Sequence, residues 1–175
     1  FAAGHETTSY ALAWTFYLLS QNAQVYEKLL DDARNSDDNA YIVAAFKESL
    51  RLYPVIPSAP RVTLQPTVLG GFDIPKGARV FVSFYLIHRH QDYWTEAECF
   101  RPERFLSKDP EAFMPFGLGQ RYCLGKNLAM LQGPLVLAQV SKQLRLELLP
   151  EAQISPKVTI SLFPRYGIKM KVLGS

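Results

Sequence analysis

Residues Phe116–Gly125 read FGLGQRYCLG and set one cysteine, Cys123, among three glycines and an arginine. A cysteine used only for packing needs no such company. The residues that follow, from Leu124 onward, carry a helical pattern, so Cys123 stands at a helix entry. Free backbone N–H groups and the positive end of the dipole there favour an anion such as a thiolate. Gly119 and Gly125 lack side chains, which leaves room for a flat bulky group to lie against the loop. Phe116 offers an aromatic face, and Arg121 a cation suited to a carboxylate. Local physics leaves a plainer reading open, in which Cys123 is a small buried hydrophobe and the glycines only make turns. A zinc site fits less well: His88, His90, Cys99 and Cys123 lack the closely spaced cysteine pairs of structural zinc.

Outward from this loop, the pattern is mainly helical. Leu12, Trp14, Phe16, Leu18 and Leu19 mark a helix over 1–20 that ends near Ser20-Gln21-Asn22. A second helix is expected over 23–33, then a polar turn, then a strong amphipathic helix in AYIVAAFKESLRLY that Pro54 stops. From Pro54 to His90 the period changes to that of short strands, with a turn at Gly70-Gly71; FVSFYLI, residues 81–87, fits strand and helix equally. Residues 90–122 are irregular, and such a stretch in a packed domain tends to be functional. A long helix is expected from Leu124 to Leu148, kinked at Gly133-Pro134. The tail, residues 154–172, alternates like a hairpin turning at FPRYG. The fold class is therefore mainly α with small β-sheets (α+β), as a single domain over 1–175.

Composition narrows the function. The 175 residues can enclose one core, and a net charge of +3 with no basic run interleaved with aromatics gives no nucleic-acid footprint. Two cysteines do not make a disulfide scaffold. No apolar run reaches membrane-spanning length, and no signal peptide is visible. The opening FAAGHETTSYALAWTFYLL has no initiator Met and no cap before Phe1. It reads as a helix entered partway, so the chain is expected to be the C-terminal part of a longer protein, membrane-anchored or cytoplasmic.

Phe116, Gly119, Arg121, Cys123 and Gly125 fill the pattern F-x-x-G-x-R-x-C-x-G. This resembles the haem-binding signature of the cytochrome P-450 family. Three further segments resemble that family in the family's order. In KESLR, Glu48 and Arg51 match E-x-x-R; on a helix they share a face and can pair, although an exposed pair of this kind is worth little. In FRPERF, Arg104 matches the third member of the same network. In AAGHETTS, Ala3, Gly4, Glu6 and Thr7 match A-G-x-D/E-T, which standing alone would read as a polar turn of helix. The resemblance covers essentially the whole chain and corresponds to the family's C-terminal part, from the oxygen-pocket helix onward, with haem between that helix and the cysteine loop and last long helix.

The resemblance implies haem b with Cys123 as axial thiolate. It implies cofactor contacts from Phe116, Gly119, Arg121 and Gly125, with Arg61 and His88 as further propionate partners. Glu48, Arg51 and Arg104 would hold the loop, and Glu6 and Thr7 would deliver protons. Ala3, Val55, Ile56, Ser58, Leu162 and Phe163 would line a substrate pocket. The implied activity is a monooxygenase that inserts one atom of O2 into an apolar small molecule. Electrons would come indirectly from NAD(P)H through a flavoprotein reductase or a ferredoxin, docked near Lys126 and Arg34. Two alternatives stand beside it. One is a peroxide isomerase or dehydratase of the same family, against which the Glu6–Thr7 pair argues. The other is a truncated haem-binding piece without catalysis. Departures from the pattern are His90 where Asp is common, with Asp92 as a substitute, and a short connection before the E-x-x-R helix. That connection resembles soluble members, whereas LRLYP, FRPERF and DYW resemble membrane-type ones.

Overall fold

Apolar residues at three- and four-residue intervals give the helices over 23–35 and 40–52 a stripe to bury. The computed structural model describes residues 2–174; Phe1, where the first expected helix starts, lies outside them. Helix α1 (Ala2–Gln21) buries Ala11, Trp14, Phe16, Leu18 and Leu19. It ends where Asn22 turns back on it, donating from Nδ2 to the Leu18 carbonyl at 2.7 Å and from its backbone N–H to Leu19 at 3.1 Å. Helix α2 (Ala23–Asn35) runs two residues past the expected Ala33, and α3 (Ala40–Leu52) stops before Pro54 as expected. Together with α5 (Lys126–Gln143) they enclose the main core around Leu19, Leu29, Ile42, Ala45, Phe46 and Leu137. Among the described residues no helix is long and apolar enough to cross a membrane.

Gly133 and Pro134 sit buried in the middle of α5, which runs unbroken through them. A Cβ added at Gly133 would lie 2.2–2.7 Å from three ring atoms of Phe46. Gly133 is thus the point where α5 and the α3 side chains approach too closely for any side chain. Pro134 removes one helical donor beside that contact.

The strands form four separate antiparallel pairs: β1 (Ser58–Val62) with β4 (Arg79–Ser83), β2 (Thr67–Leu69) with β3 (Phe72–Ile74), β5 (Leu144–Leu148) with β8 (Met170–Gly174), and β6 (Pro156–Val158) with β7 (Leu162–Pro164). Gly70 and Gly71 join β2 to β3 with φ of 57° and 84°, the left-handed backbone a two-residue hairpin turn needs. FVSFYLI divides: the strand ends at Ser83, whose Oγ accepts from the Leu86 N–H at 3.3 Å and starts the single turn α4 (Phe84–Ile87). Two expectations for the tail are corrected. Helix α5 stops at Gln143, and LRLEL is strand β5. Its residues suit a helix, but its strict alternation suits a strand equally, and a partner strand, β8, decides. The phenolic oxygen of Tyr26 on α2 accepts from the Leu146 N–H at 3.0 Å and pins β5 in place. The hairpin turn lies at 159–161 between β6 and β7, whereas FPRYG leads from β7 to β8, which do not pair with each other.

A buried charge network ties α3 to the irregular stretch. Glu48 and Arg51 side chains are both 0% exposed. Arg51 has five N–H donors, and all five are used. Nε and Nη2 grip the Glu48 carboxylate at 2.7 and 2.8 Å; Nη1 donates to the carbonyls of His88 (2.8 Å) and Ala97 (2.6 Å), and Nη2 to Cys99 (3.1 Å). Glu48 Oε1 also accepts from the Arg101 backbone N–H at 2.9 Å and from Arg104 Nε at 3.2 Å. Arg104 sits in a 3-10 turn (Pro102–Phe105) and donates from Nη2 to the Glu96 carbonyl at 2.9 Å.

His88, also fully buried, belongs to the same junction. Its Nε2 lies 3.0 Å from the Met114 backbone nitrogen. An amide N–H can only donate, so Nε2 is unprotonated and the proton sits on Nδ1, which donates to the Arg51 carbonyl at 3.2 Å. Burial pushes the His88 pKa down to about 4; the bond to the Arg51 carbonyl opposes the shift, and the Arg51 and Arg89 charges add to it.

Three outcomes follow. Gly133→Ala should destabilise by about 1–3 kcal/mol through overpacking, read by denaturant unfolding, and Phe46→Leu should recover part of that loss. Arg51→Lys keeps the charge but brings three donors to five acceptors, so it should cost about 3 kcal/mol or more. For His88, the unfolded chain takes up a proton near 6.5 and the folded one only near 4. Its contribution is therefore intact above pH 6.5, falls as pH drops, and is gone below pH 4, about 3 kcal/mol in all. Subtracting the stability–pH curve of His88→Gln from that of the unaltered protein should isolate this slope.

Candidate functional site

A cavity of about 600 Å³ lies between α1, the end of α3, β1 and the cysteine loop. From α1 come Ala3, Gly4, Thr7, Thr8 and Ala11; from the loop and the start of α5 come Pro115, Phe116, Gly117, Arg121, Cys123, Leu124, Gly125 and Leu128. Val55, Ile56, Ala59, Arg61 and Phe84 supply another wall. The lining is mostly apolar; its polar side chains are the two guanidinium groups, one thiol, the hydroxyls of Thr7 and Thr8 and the Gln132 amide.

The loop is built to present that thiol. The Cys123 N–H donates to the Phe116 carbonyl at 2.8 Å, and the Cys123 carbonyl accepts from the Lys126 N–H at 3.3 Å, so both backbone groups are held while the side chain stays exposed and free of any disulfide. Gly117 and Gly119 have φ of 72° and 71°, a conformation only glycine adopts without strain. Gly119 makes the turn but does not line the cavity, so its role is backbone shape rather than clearance. Gly125 does line it, and a Cβ there would stand 3.8 Å from the Cys123 sulfur.

The donor set selects the kind of group the site can take. Among the described residues no cluster of three or more His, Cys, Asp or Glu could hold a metal ion, so the zinc reading has no ligand set. One thiol, apolar walls and two cations suit instead a metal that brings most of its own ligands and carries carboxylates. A haem would meet these requirements, and the residues present fit it.

The other expected site residues divide. Thr7 lines the cavity, its hydroxyl donating to the Ala3 carbonyl at 2.7 Å, while Glu6 is exposed and outside it. Ala3, Val55, Ile56, Arg61 and Arg121 line it; Arg61 Nη1 also donates to the Pro60 carbonyl at 2.9 Å. Ser58, Leu162 and Phe163 do not line it. Ser58 lies in β1 opposite Ser83. Leu162 is buried, with its N–H on the Val55 carbonyl at 2.7 Å and its carbonyl accepting from Trp14 Nε1 at 3.1 Å. Phe163 stacks on Tyr10 at 5.3 Å. His88 is likewise no cavity residue: both ring nitrogens are committed to backbone groups, which leaves none for a propionate. Lys126 lines a second hollow of about 390 Å³ that shares Pro115, Phe116 and Gly117 with the first, and Arg34 is exposed at the end of α2.

Sequence reasoning missed Thr8, Ala11, Phe46, Leu50, Ala59, Phe84, Ala129 and Gln132 as cavity residues. Thr8 and Ala11 were within reach, since they follow Gly4 and Thr7 at i+4 on one helix face. The rest depend on tertiary approach.

Comparison with known proteins places the chain in a family. The family model described as Cytochrome P450 matches residues 1–172. Cytochrome P450 3A31 of Mesocricetus auratus is 35% identical over 190 residues, 98% of this chain and 38% of that protein. The mitochondrial 1,25-dihydroxyvitamin D(3) 24-hydroxylase of Mus musculus is 38% identical over 157 residues, 79% of this chain and 30% of that protein. Alkane hydroxylase MAH1 of Arabidopsis thaliana is 34% identical over 185 residues, 97% of this chain and 37% of that protein. The chain thus spans roughly a third of the length of these relatives. A glycine-shaped loop presenting a lone thiol to an apolar cavity, and a family match running nearly end to end, have one common explanation: this chain belongs to the cytochrome P450 family.

Proposed function

We propose that this chain forms the thiolate side and part of the oxygen side of a haem monooxygenase that inserts one atom of O2 into an apolar organic substrate. The observation that carries the reading is the Cys123 thiol opening onto an apolar cavity that Thr7, Arg61 and Arg121 also line. When bound, the haem supplies the oxygen chemistry, and a thiolate ligand favours O–O cleavage. The relatives named as hydroxylases support oxygen insertion as the outcome.

The chain's own residues bind, orient and exclude water. Cys123, held through its backbone, gives the sulfur a fixed position, and Arg121 and Arg61 offer charge-assisted bonds to the cofactor's carboxylates. Phe116 and Gly125 shape the wall beside the sulfur. Thr7 keeps a proton at Oγ1, parked on the Ala3 carbonyl and free to rotate into the cavity. Glu6, the preceding residue, is exposed and would connect Thr7 to bulk water. Ala3, Val55 and Ile56 present apolar surface to the substrate and keep the cavity dry. Electrons would reach the site from a reductase or ferredoxin served by NAD(P)H, on the side where Lys126 lines the second hollow and Arg34 is exposed.

In protein expressed from its complete gene, the reduced carbon-monoxide difference spectrum should show the band of thiolate-ligated haem. Cys123→Ser should abolish that band. A Cys123→Ser protein that kept it would overturn the assignment.

A further inference from the structure

We infer that His88 is a positioning residue for the Cys123 loop, its neutral imidazole joining the Arg51 carbonyl to the Met114 amide and so setting where the run that leads to the cysteine sits. The inference rests on the reading of Cys123 as the haem ligand. His88 itself touches neither the cavity nor Cys123.

The geometry is a relay of short bonds. On one side, Arg51 and His88 hold each other reciprocally: the guanidinium donates to the His88 carbonyl at 2.8 Å, and His88 Nδ1 donates to the Arg51 carbonyl at 3.2 Å. On the other, Nε2 accepts the Met114 N–H at 3.0 Å. The Met114 carbonyl accepts the Gly117 N–H at 3.0 Å and closes a turn, and the Phe116 carbonyl within that turn accepts the Cys123 N–H at 2.8 Å. Pro115, Phe116 and Gly117 are themselves cavity walls. Displacing Met114 therefore moves both the wall and the acceptor that orients the cysteine.

The imidazole is fixed in its plane as well as at its two ends. Phe113 stacks on it at 5.8 Å and 28°, and Trp94 meets it edge-on at 6.2 Å and 79°. Trp94 in turn lies 5.0 Å from the Arg51 guanidinium carbon and donates from Nε1 to the Ile87 carbonyl at 3.0 Å. The buried network around Glu48 and Arg51 is thus connected to the cysteine loop through one side chain that both donates and accepts at fixed positions. Among neutral side chains, imidazole does this with one rigid ring.

Three variants separate positioning from bulk. Gln can place its carbonyl oxygen where Nε2 stands and keep the acceptor for Met114. Asn can replace Nδ1–H but does not reach Met114, and Phe fills the space with neither. The variants are to be made in the haem-loaded protein expressed from its complete gene, read by amide hydrogen exchange at Met114 and Gly117 and by the fraction of thiolate-ligated haem in the carbon-monoxide spectrum. His88→Asn and His88→Phe should speed exchange at those amides about tenfold, the loss of one hydrogen bond, and lower the thiolate-ligated fraction. His88→Gln should leave both near the unaltered protein. A role confined to packing would lower unfolding midpoints without separating Gln from Asn. Equal effects of Gln and Asn, or unchanged exchange in Asn and Phe, overturn the inference. If Asn and Phe do not accumulate folded, His88→Gln decides alone, with a retained spectrum supporting and a lost one overturning. Haem bound to the unaltered protein without a thiolate signature would remove Cys123 as ligand, while exchange at Met114 still judges His88.

Discussion

A carboxylate and a guanidinium with no access to water, Glu48 and Arg51, impose the condition that the rest of this structure meets. Removing two charges from solvent costs several kcal/mol each, and their attraction repays it only if every remaining donor and acceptor is also satisfied. Arg51 has three donor positions left after gripping Glu48, and the carbonyls of His88, Ala97 and Cys99 fill them. Glu48 completes its shell with the Arg101 amide and Arg104. A segment with no regular secondary structure, from His88 to Arg101, is thereby folded around a single charge pair. Glu96 takes a left-handed backbone at φ 51° within it and turns its carbonyl to Arg104. An irregular chain gains here the order that a sheet or helix would otherwise provide.

The sequence displayed one half of this arrangement. Glu48 and Arg51 at i and i+3 on an amphipathic helix are a pair that spacing alone places on one face. Cys123 among glycines is similarly visible, because residue type reports backbone shape: Gly117 and Gly119 stand where φ is positive. The partners of Arg51 were hidden, since a carbonyl is the same on every residue and proximity across the irregular stretch leaves no mark. His88 was hidden for the same reason. The family resemblance implied a propionate contact for it, and only the positions of Met114 and Arg51 show that both nitrogens are used. LRLEL was ambiguous because its five residues suit either state, and its strand exists only because Met170–Gly174 lies alongside.

Packing carries the same constraint to the cavity. Gly133 lets α5 approach Phe46 of α3 more closely than any Cβ would allow, and Phe46 and Leu50 of that helix are cavity residues. The helix that carries the buried charge pair on one face therefore offers cavity wall on another, and α5 continues directly from the cysteine loop. The distance between the thiol and Thr7 depends on three helix contacts, α1 with α3, α3 with α5 and α1 with α5 directly, made in the close-packed core. Close-packed contacts of this kind shift little without loss of stability.

Such a site separates its chemistry from its support. The cavity lining is mostly apolar, and among the described residues no side chain pairs with Cys123 to compete for its sulfur. Orientation comes instead through the backbone, from Phe116 and from the turn closed between Met114 and Gly117. Backbone donors and acceptors survive any change of side chain other than to proline, so a loop held in this way can vary at Gln120 and Tyr122, both exposed and outside the cavity lining, while the thiol keeps its place. What the relay needs at its far end, where Arg51 and His88 meet, is an acceptor aimed at the Met114 amide. The dependence runs from the buried pair outward to the thiol, because a loop with no buried side chain of its own at Gly119–Gly125 has no packing from which to fix its position independently.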